Sequence, residues 1–183
     1  MKGVSPLVRL IQLIHANLVK PAASLKRGMA RRNFLQRCKK RNSSVELSTI
    51  YPHDYENLHI GSNVIANDAY FDTSGNITIG DATFFGWGVK ILTGTHPIHE
   101  RGIIRQQMSS SKDVLIGKGV WIASYAIILP GSVIGDDSVV SAGSVVFGIF
   151  PPEKLIAGNP ARVIKSIDFS RSTSCPNNRV NGA

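Results

Sequence analysis

Residues 114–146 read VLIGKGVWIASYAIILPGSVIGDDSVVSAGSVV, and this stretch decides the fold. Ile116, Ile122, Ile128, Ile134, Val140 and Val146 recur every six residues without a slip. Four places after each of the first five stands a slim residue: Val120, Ala126, Ser132, Ser138 and Ser144. The position just after several of the aliphatics is small as well, at Gly117, Ala123, Gly135 and Ser141. A period of six fits neither the 3.6 of an amphipathic helix nor the two of a half-buried strand. It fits an all-β solenoid, a β-helix of short parallel strands stacked coil upon coil, with the aliphatic pointing into a flat face and the slim residue filling the tighter corner.

Working outward, the register reappears at Ile79, Phe85 and Ile91, with Thr83, Val89 and Thr95 four places on. It begins loosely near Leu58 and slips around Tyr70–Gly75. Residues 96–113 lie between Ile91 and Ile116 and carry no repeat, so they are expected to form a loop thrown out from the solenoid wall, where repeat proteins often bind. The repeat ends near Phe147, and Pro151-Pro152 opens a closing segment, Leu155–Ile167. At three sides per coil this supplies roughly five coils at the β-ladder spacing of about 4.8 Å. Flat outer faces carrying Tyr125 and Val139 are suited to packing subunit against subunit. The expected organisation is a basic, helical arm over 1–57, the solenoid over 58–167 with its extruded loop 96–113, and a disordered tail over 168–183.

The net charge of +9 is unevenly spread. Residues 1–41 hold eleven Lys and Arg and no Asp or Glu, whereas residues 42–167 hold eight basic and eleven acidic residues. Ser5-Pro6 opens one expected helix, ended by Lys20-Pro21, and Ser24–Arg41 forms a second, basic stretch. Two readings of this arm stay open: a helix capping the solenoid's exposed strand edges with a solvated basic face, or an interfacial segment drawn to anionic lipid or an acidic glycan. Nucleic acid is not an expected partner, since no recognised binding fold accompanies the charge. No run of about 18 apolar residues occurs, and polar residues interrupt Val4–Val19 with no clean cleavage site after it, so no secretory signal is expected. Cys38 and Cys175 show neither metal spacing nor a disulfide framework, which points to a cytoplasmic setting, with the arm allowing peripheral attachment to the inner face of the membrane.

Thr95-His96-Pro97, the extruded loop, Val120-Trp121-Ile122, the hexapeptides and Ala157-Gly158-Asn159-Pro160-Ala161-Arg162-Val163-Ile164 together resemble the hexapeptide-repeat acyltransferases. The likeness is to galactoside and maltose acetyltransferases and to polysaccharide O-acetyltransferases of the colanic-acid and O-antigen type, and it covers residues 58–167. It implies a left-handed parallel β-helix, a homotrimer with active sites between subunits, and acetyl-CoA as donor. The reaction implied is O-acetylation of a sugar, or of a surface polysaccharide or lipid-linked glycan. Transfer to a small molecule (a free sugar, amino sugar or antibiotic) is the alternative.

Such a transfer needs a base for the acceptor hydroxyl and a donor for the developing oxyanion. His96 matches the family's catalytic histidine. Asn67, Asp72 and Trp121 match acceptor-side positions, although a turn-forming role suits Asn67 equally. Ser124 matches a residue whose backbone N–H meets the thioester or pantetheine arm, Ala142 a small residue against which CoA lies, and Arg162 and Lys165 basic positions near its phosphates. One departure stands out: the family's Thr-Lys after the last hexapeptide is here Phe147-Gly148, which removes a CoA contact. A β-helical carbonic anhydrase would need three zinc-binding histidines, and His96 and His99 lack that spacing, so no metal is expected. A non-catalytic scaffold is disfavoured by His96 and its loop.

Overall fold

The computed structural model describes residues 20–44, 50–51 and 55–171; the helix expected over 5–18 and the chain beyond residue 171 lie outside the described residues. The six-residue register closes into a three-sided prism. One face stacks β2 (Leu58–Ile60), β4 (Ile77–Ile79), β9 (Val114–Ile116), β12 (Val133–Ile134) and β15 (Ile149–Phe150). The second stacks β5 (Phe84–Phe85), β10 (Trp121–Ile122), β13 (Val139–Val140) and β16 (Lys154–Gly158). The third stacks β1 (Ile50–Tyr51), β3 (Tyr70–Asp72), β6 (Lys90–Ile91), β11 (Ile127–Ile128) and β14 (Val145–Val146). Neighbours on each face pair in parallel, as in Ile122 with Val140 and Ile128 with Val146. The inward residue of each short strand is buried: Ile79, Phe85, Ile91 and every aliphatic of the 116–146 series are at most 2% exposed. Each side of a rung repeats this inward aliphatic and a buried corner residue such as Val120 or Ala126, and so the period is six.

The slim corner residues do more than save space. Thr83 Oγ1 donates to Gly117 O at 2.8 Å and accepts from Val120 N–H at 3.1 Å. Ser132 Oγ reaches Leu129 O and Val146 O, and Ser144 Oγ accepts from Gly158 N–H. Each hydroxyl bonds to the backbone of a neighbouring rung, and so the buried polar atom is satisfied there.

Several sequence expectations are corrected. The basic stretch expected over Ser24–Arg41 is longer: α1 (Lys20–Lys40) takes in Lys20-Pro21, with Pro21 in its first turn, where a missing N–H breaks no helical bond. The solenoid starts before residue 58, because Ile50 pairs with Phe71 and Ser44 bridges Ile65. α1 buries Phe34 and Cys38 against this first rung, with the Phe34 ring 5.6 Å from that of Tyr55, Arg37 donating to Tyr55 O and Arg41 to Ile60 O. It therefore covers the open end of the stack, as the capping reading required. At the other end β16 turns back into β17 (Ala161–Ser166), an antiparallel pairing that seals the last rung. Thr95 is not a corner residue of the stack. Thr93 takes the buried place, and the chain leaves the wall at Gly94.

Candidate active site

The extruded loop has a built base. β7 (Gly94–Thr95) pairs antiparallel with β8 (Ser110–Ser111), forming a two-stranded neck, and α2 (Gly102–Gln107) lies between them. Lys112 N–H returns to Thr93 O at 2.9 Å. Asp113 Oδ1 accepts from Asn76 N–H at 2.9 Å, which ties the return strand to the rung below.

His96 stands just past this neck. Its Nδ1 lies 3.0 Å from Arg105 O and 2.8 Å from Met108 O. Both oxygens belong to the C-terminal end of α2, where carbonyls have no helical partner. A carbonyl only accepts, so Nδ1 must carry the proton, and the neutral ring then presents the Nε2 lone pair. The ring is exposed. Arg105 Nη2 donates to Ile98 O at 3.0 Å and folds the loop onto itself around the histidine. The role of α2 in fixing the tautomer was not legible in the sequence, because backbone carbonyls leave no residue-type signal.

Asp72 shares a cleft of about 460 Å³ with His96, lined also by Tyr70, Ser74 and Ser109–Ser111. Its carboxylate is fully engaged. Oδ1 accepts from Ser74 Oγ at 2.5 Å and Ser74 N–H at 3.1 Å; Oδ2 accepts from Gly94 N–H at 2.7 Å and Thr93 N–H at 3.2 Å. Burial pushes the carboxyl up, but the bonds from Ser74, Gly94 and Thr93 outweigh it and hold its pKa below the ordinary aspartate value. These four bonds take up a carboxylate's four acceptor positions. The structure therefore gives Asp72 the task of pinning β7, on which His96 hangs.

The other matched residues gather on a different edge, between the second and third faces. Asn67 turns the corner at φ +45° and its Nδ2 donates to Phe85 O at 2.7 Å, which is the turn-forming role. Two and three rungs on, the N–H groups of Ser124 and Ala142 make no hydrogen bond among the described residues. Ser124 Oγ accepts from Trp87 N–H at 3.1 Å, fixing the corner. Gly86 is required beside it: a Cβ there would come within 2.5 Å of Ser124 Oγ. The adjoining groove of about 600 Å³ is lined by Phe84, Trp121, Ala123, Ser124, Ala142 and Leu155, among others. Trp121 stacks on Phe84 with centroids 5.8 Å apart and rings 11° from parallel. Arg162 and Lys165 extend exposed from β17 at the end of this same second face. Phe147, where a CoA contact was expected to be missing, is an exposed aromatic.

Within one subunit, then, the histidine and the groove do not meet. His96 leaves the edge between the third and first faces, and the third face lies between it and the Ser124 corner. His59 and His99 are exposed and join no cluster, and no three His, Cys, Asp or Glu side chains form a metal-holding group among the described residues.

A family model described as bacterial transferase hexapeptide (six repeats) matches residues 113–148. The chain is 39% identical over 118 residues to galactoside O-acetyltransferase of Escherichia coli, covering 61% of this chain and 55% of that protein. It is 35% identical over 167 residues to a putative acetyltransferase of Saccharomyces cerevisiae, covering 90% of this chain and 83% of the relative. A solved galactoside acetyltransferase in complex with coenzyme A superposes with a TM-score of 0.65 at 36% identity, over 70% of this chain and 64% of that one. The chain thus spans little more than half the length of the Escherichia coli protein. The shared architecture winds left-handed, which supplies the hand that residue spacing does not encode.

Proposed function

Because this chain belongs to the hexapeptide-repeat acetyltransferases, we propose that it transfers the acetyl group of acetyl-CoA to a hydroxyl of a sugar, with His96 as general base. The observation that carries this reading is the fixed tautomer of His96, whose Nδ1–H is held by two carbonyls while Nε2 remains free to accept a proton. Nε2 takes the acceptor's hydroxyl proton as that oxygen attacks the thioester carbonyl. The carbon–sulfur bond then breaks, and the imidazolium returns the proton to the departing thiolate.

The groove beside Ser124 suits a long, thin donor. Small residues at Gly86, Ala123 and Ala142 leave the wall open, and the N–H groups of Ser124 and Ala142 are donors without an internal acceptor. Either N–H could meet a thioester oxyanion or a pantetheine amide. Arg162 and Lys165 supply charge for phosphates at the far end. Since base and groove lie on different edges of one prism, the reading includes a homotrimer, in which the His96 loop of one subunit meets the Ser124 corner of the next.

Two experiments test it. His96→Ala should lower turnover on a galactoside acceptor by about 10²–10⁴-fold with the fold unchanged; retention of full activity would remove His96 from the chemistry. Mixing inactive His96→Ala subunits with inactive Ala142→Trp subunits in equal amounts should restore about a quarter of the sites if each site spans two chains. No recovery on mixing, with trimers shown to exchange, would confine the site to one subunit.

A further inference from the structure

We infer that the basic N-terminal cap is a docking face for an anionic lipid surface, and that it holds the His96 cleft close to the headgroups, so that the acceptor is a membrane-borne glycan. The docking rests on charge and burial alone; the acceptor class rests also on the transfer reaction proposed above.

α1 places Lys20, Lys26, Arg27, Arg31, Arg32, Arg37, Lys39 and Lys40 within 21 residues that contain no acid. Among the described side chains a narrow stripe, Phe34 and Cys38 with Ala30 packed beside them and Arg37 at its edge, faces the solenoid. At 3.6 residues per turn this stripe leaves Arg32, Lys39 and Lys40 on the opposite side, and all three side chains are exposed. An end cap needs only its buried stripe. The unbalanced charge of the outer side raises the helix's electrostatic self-energy and adds nothing to the capping contact, so capping does not account for it.

Lipid fits this outer side better than nucleic acid does. Met29 and Leu35 stand among the cations, 48% and 39% exposed, as apolar side chains able to enter the acyl boundary. No aromatic residue is exposed on the helix to stack a base, since its one ring, Phe34, is buried. Attachment would be peripheral, because no described helix is long and apolar enough to cross a membrane. The site is near the same end. α1 packs on the first rung, Asp72 sits on the β-strand stacked directly on Ile50–Tyr51, and the His96 loop leaves the rung after that. A helix thickness of about 10 Å and two rungs of about 4.8 Å put the cleft on the order of 20 Å from the docked surface.

The test is sedimentation of the full chain with vesicles of phosphatidylcholine alone or with 30% phosphatidylglycerol, comparing wild type with the triple variant Arg32→Glu, Lys39→Glu, Lys40→Glu. Wild type should bind only the anionic vesicles, and should release between about 0.1 M and 1 M salt as the screening length falls from about 10 Å to 3 Å. The variant should lose at least about a hundredfold in partitioning. Equal binding to neutral vesicles, an unaffected triple variant, or tighter binding to duplex DNA than to anionic vesicles would each overturn the docking. Acetylation of a soluble galactoside by the triple variant should stay at the wild-type level, which reads the transfer reaction separately. A glycolipid acceptor in anionic vesicles should then be acetylated at least tenfold faster by wild type than by the variant; equal rates would refute the membrane-borne acceptor while leaving the transfer reaction standing.

Discussion

Replacing Asp72 with Asn isolates the device that holds His96 in place. The side chain keeps its shape, but one oxygen becomes an NH2 that cannot accept. Placed at Oδ2, the NH2 would face two backbone donors, Gly94 N–H and Thr93 N–H. Placed at Oδ1, it faces one backbone donor and the Ser74 hydroxyl, which can turn to accept. The second arrangement wins, so the variant loses one N–H···O bond outright and turns three charge-assisted bonds into neutral ones. At about 1 kcal/mol for each of these four changes the gross loss is roughly 4 kcal/mol. Asp72 is only partly buried, and solvent screening reduces this to about 1–2 kcal/mol. For a chain of this length that is a melting temperature lower by about 2–8 °C at pH 7. The sign with pH is set by the lowered pKa: the contribution is complete above the unfolded carboxylate value near 3.9 and is lost as pH falls through the folded value. Thermal melts of wild type and Asp72→Asn should therefore differ by a constant amount from pH 7 down to about pH 5, and the difference should shrink as pH falls below the unfolded carboxylate value of about 3.9. kcat should fall more than KM rises, because β7 carries His96 and small misplacements of a catalytic group cost rate. A melting difference that persists unchanged at pH 2.5, or no difference at pH 7, would refute the claim that four satisfied acceptors pin the loop.

Glycines at the corners separate steric from conformational demands. Gly80→Ala would bring a Cβ within 2.5 Å of the Gly117 backbone on the next rung and should prevent soluble expression or cost about 3 kcal/mol or more. Gly143→Ala, at φ +68° with nothing within 4 Å, should cost only about 1–2 kcal/mol by chemical denaturation. Ile128→Ala, in the middle of the aliphatic column, should destabilise by about 2–5 kcal/mol without a change in KM, since it touches the interior alone.

The six-residue column from Ile116 to Val146 determined the fold from sequence, because a flat-sided solenoid needs a buried aliphatic at the same place on every side and repeats that demand at every coil. The loss of the repeat after Ile91 located the extruded loop for the same reason, and His96 at its edge was legible through Thr95-His96-Pro97. Three features were decided only by tertiary structure. The start of the solenoid at Ser44 and Ile50 escaped notice because the first rungs are irregular and one side is closed by the helix, not by another hexapeptide. The tautomer of His96 depends on the carbonyls of Arg105 and Met108, which any residue would supply. The anchoring role of Asp72 is invisible in sequence, which shows a carboxylate and not its hydrogen bonds; the fold brings Thr93 and Gly94 to it from the next coil, 21 and 22 residues away. Side-chain pattern fixes where a chain must bury itself. Which polar groups remain free for chemistry is settled by the backbone atoms that folding brings beside them.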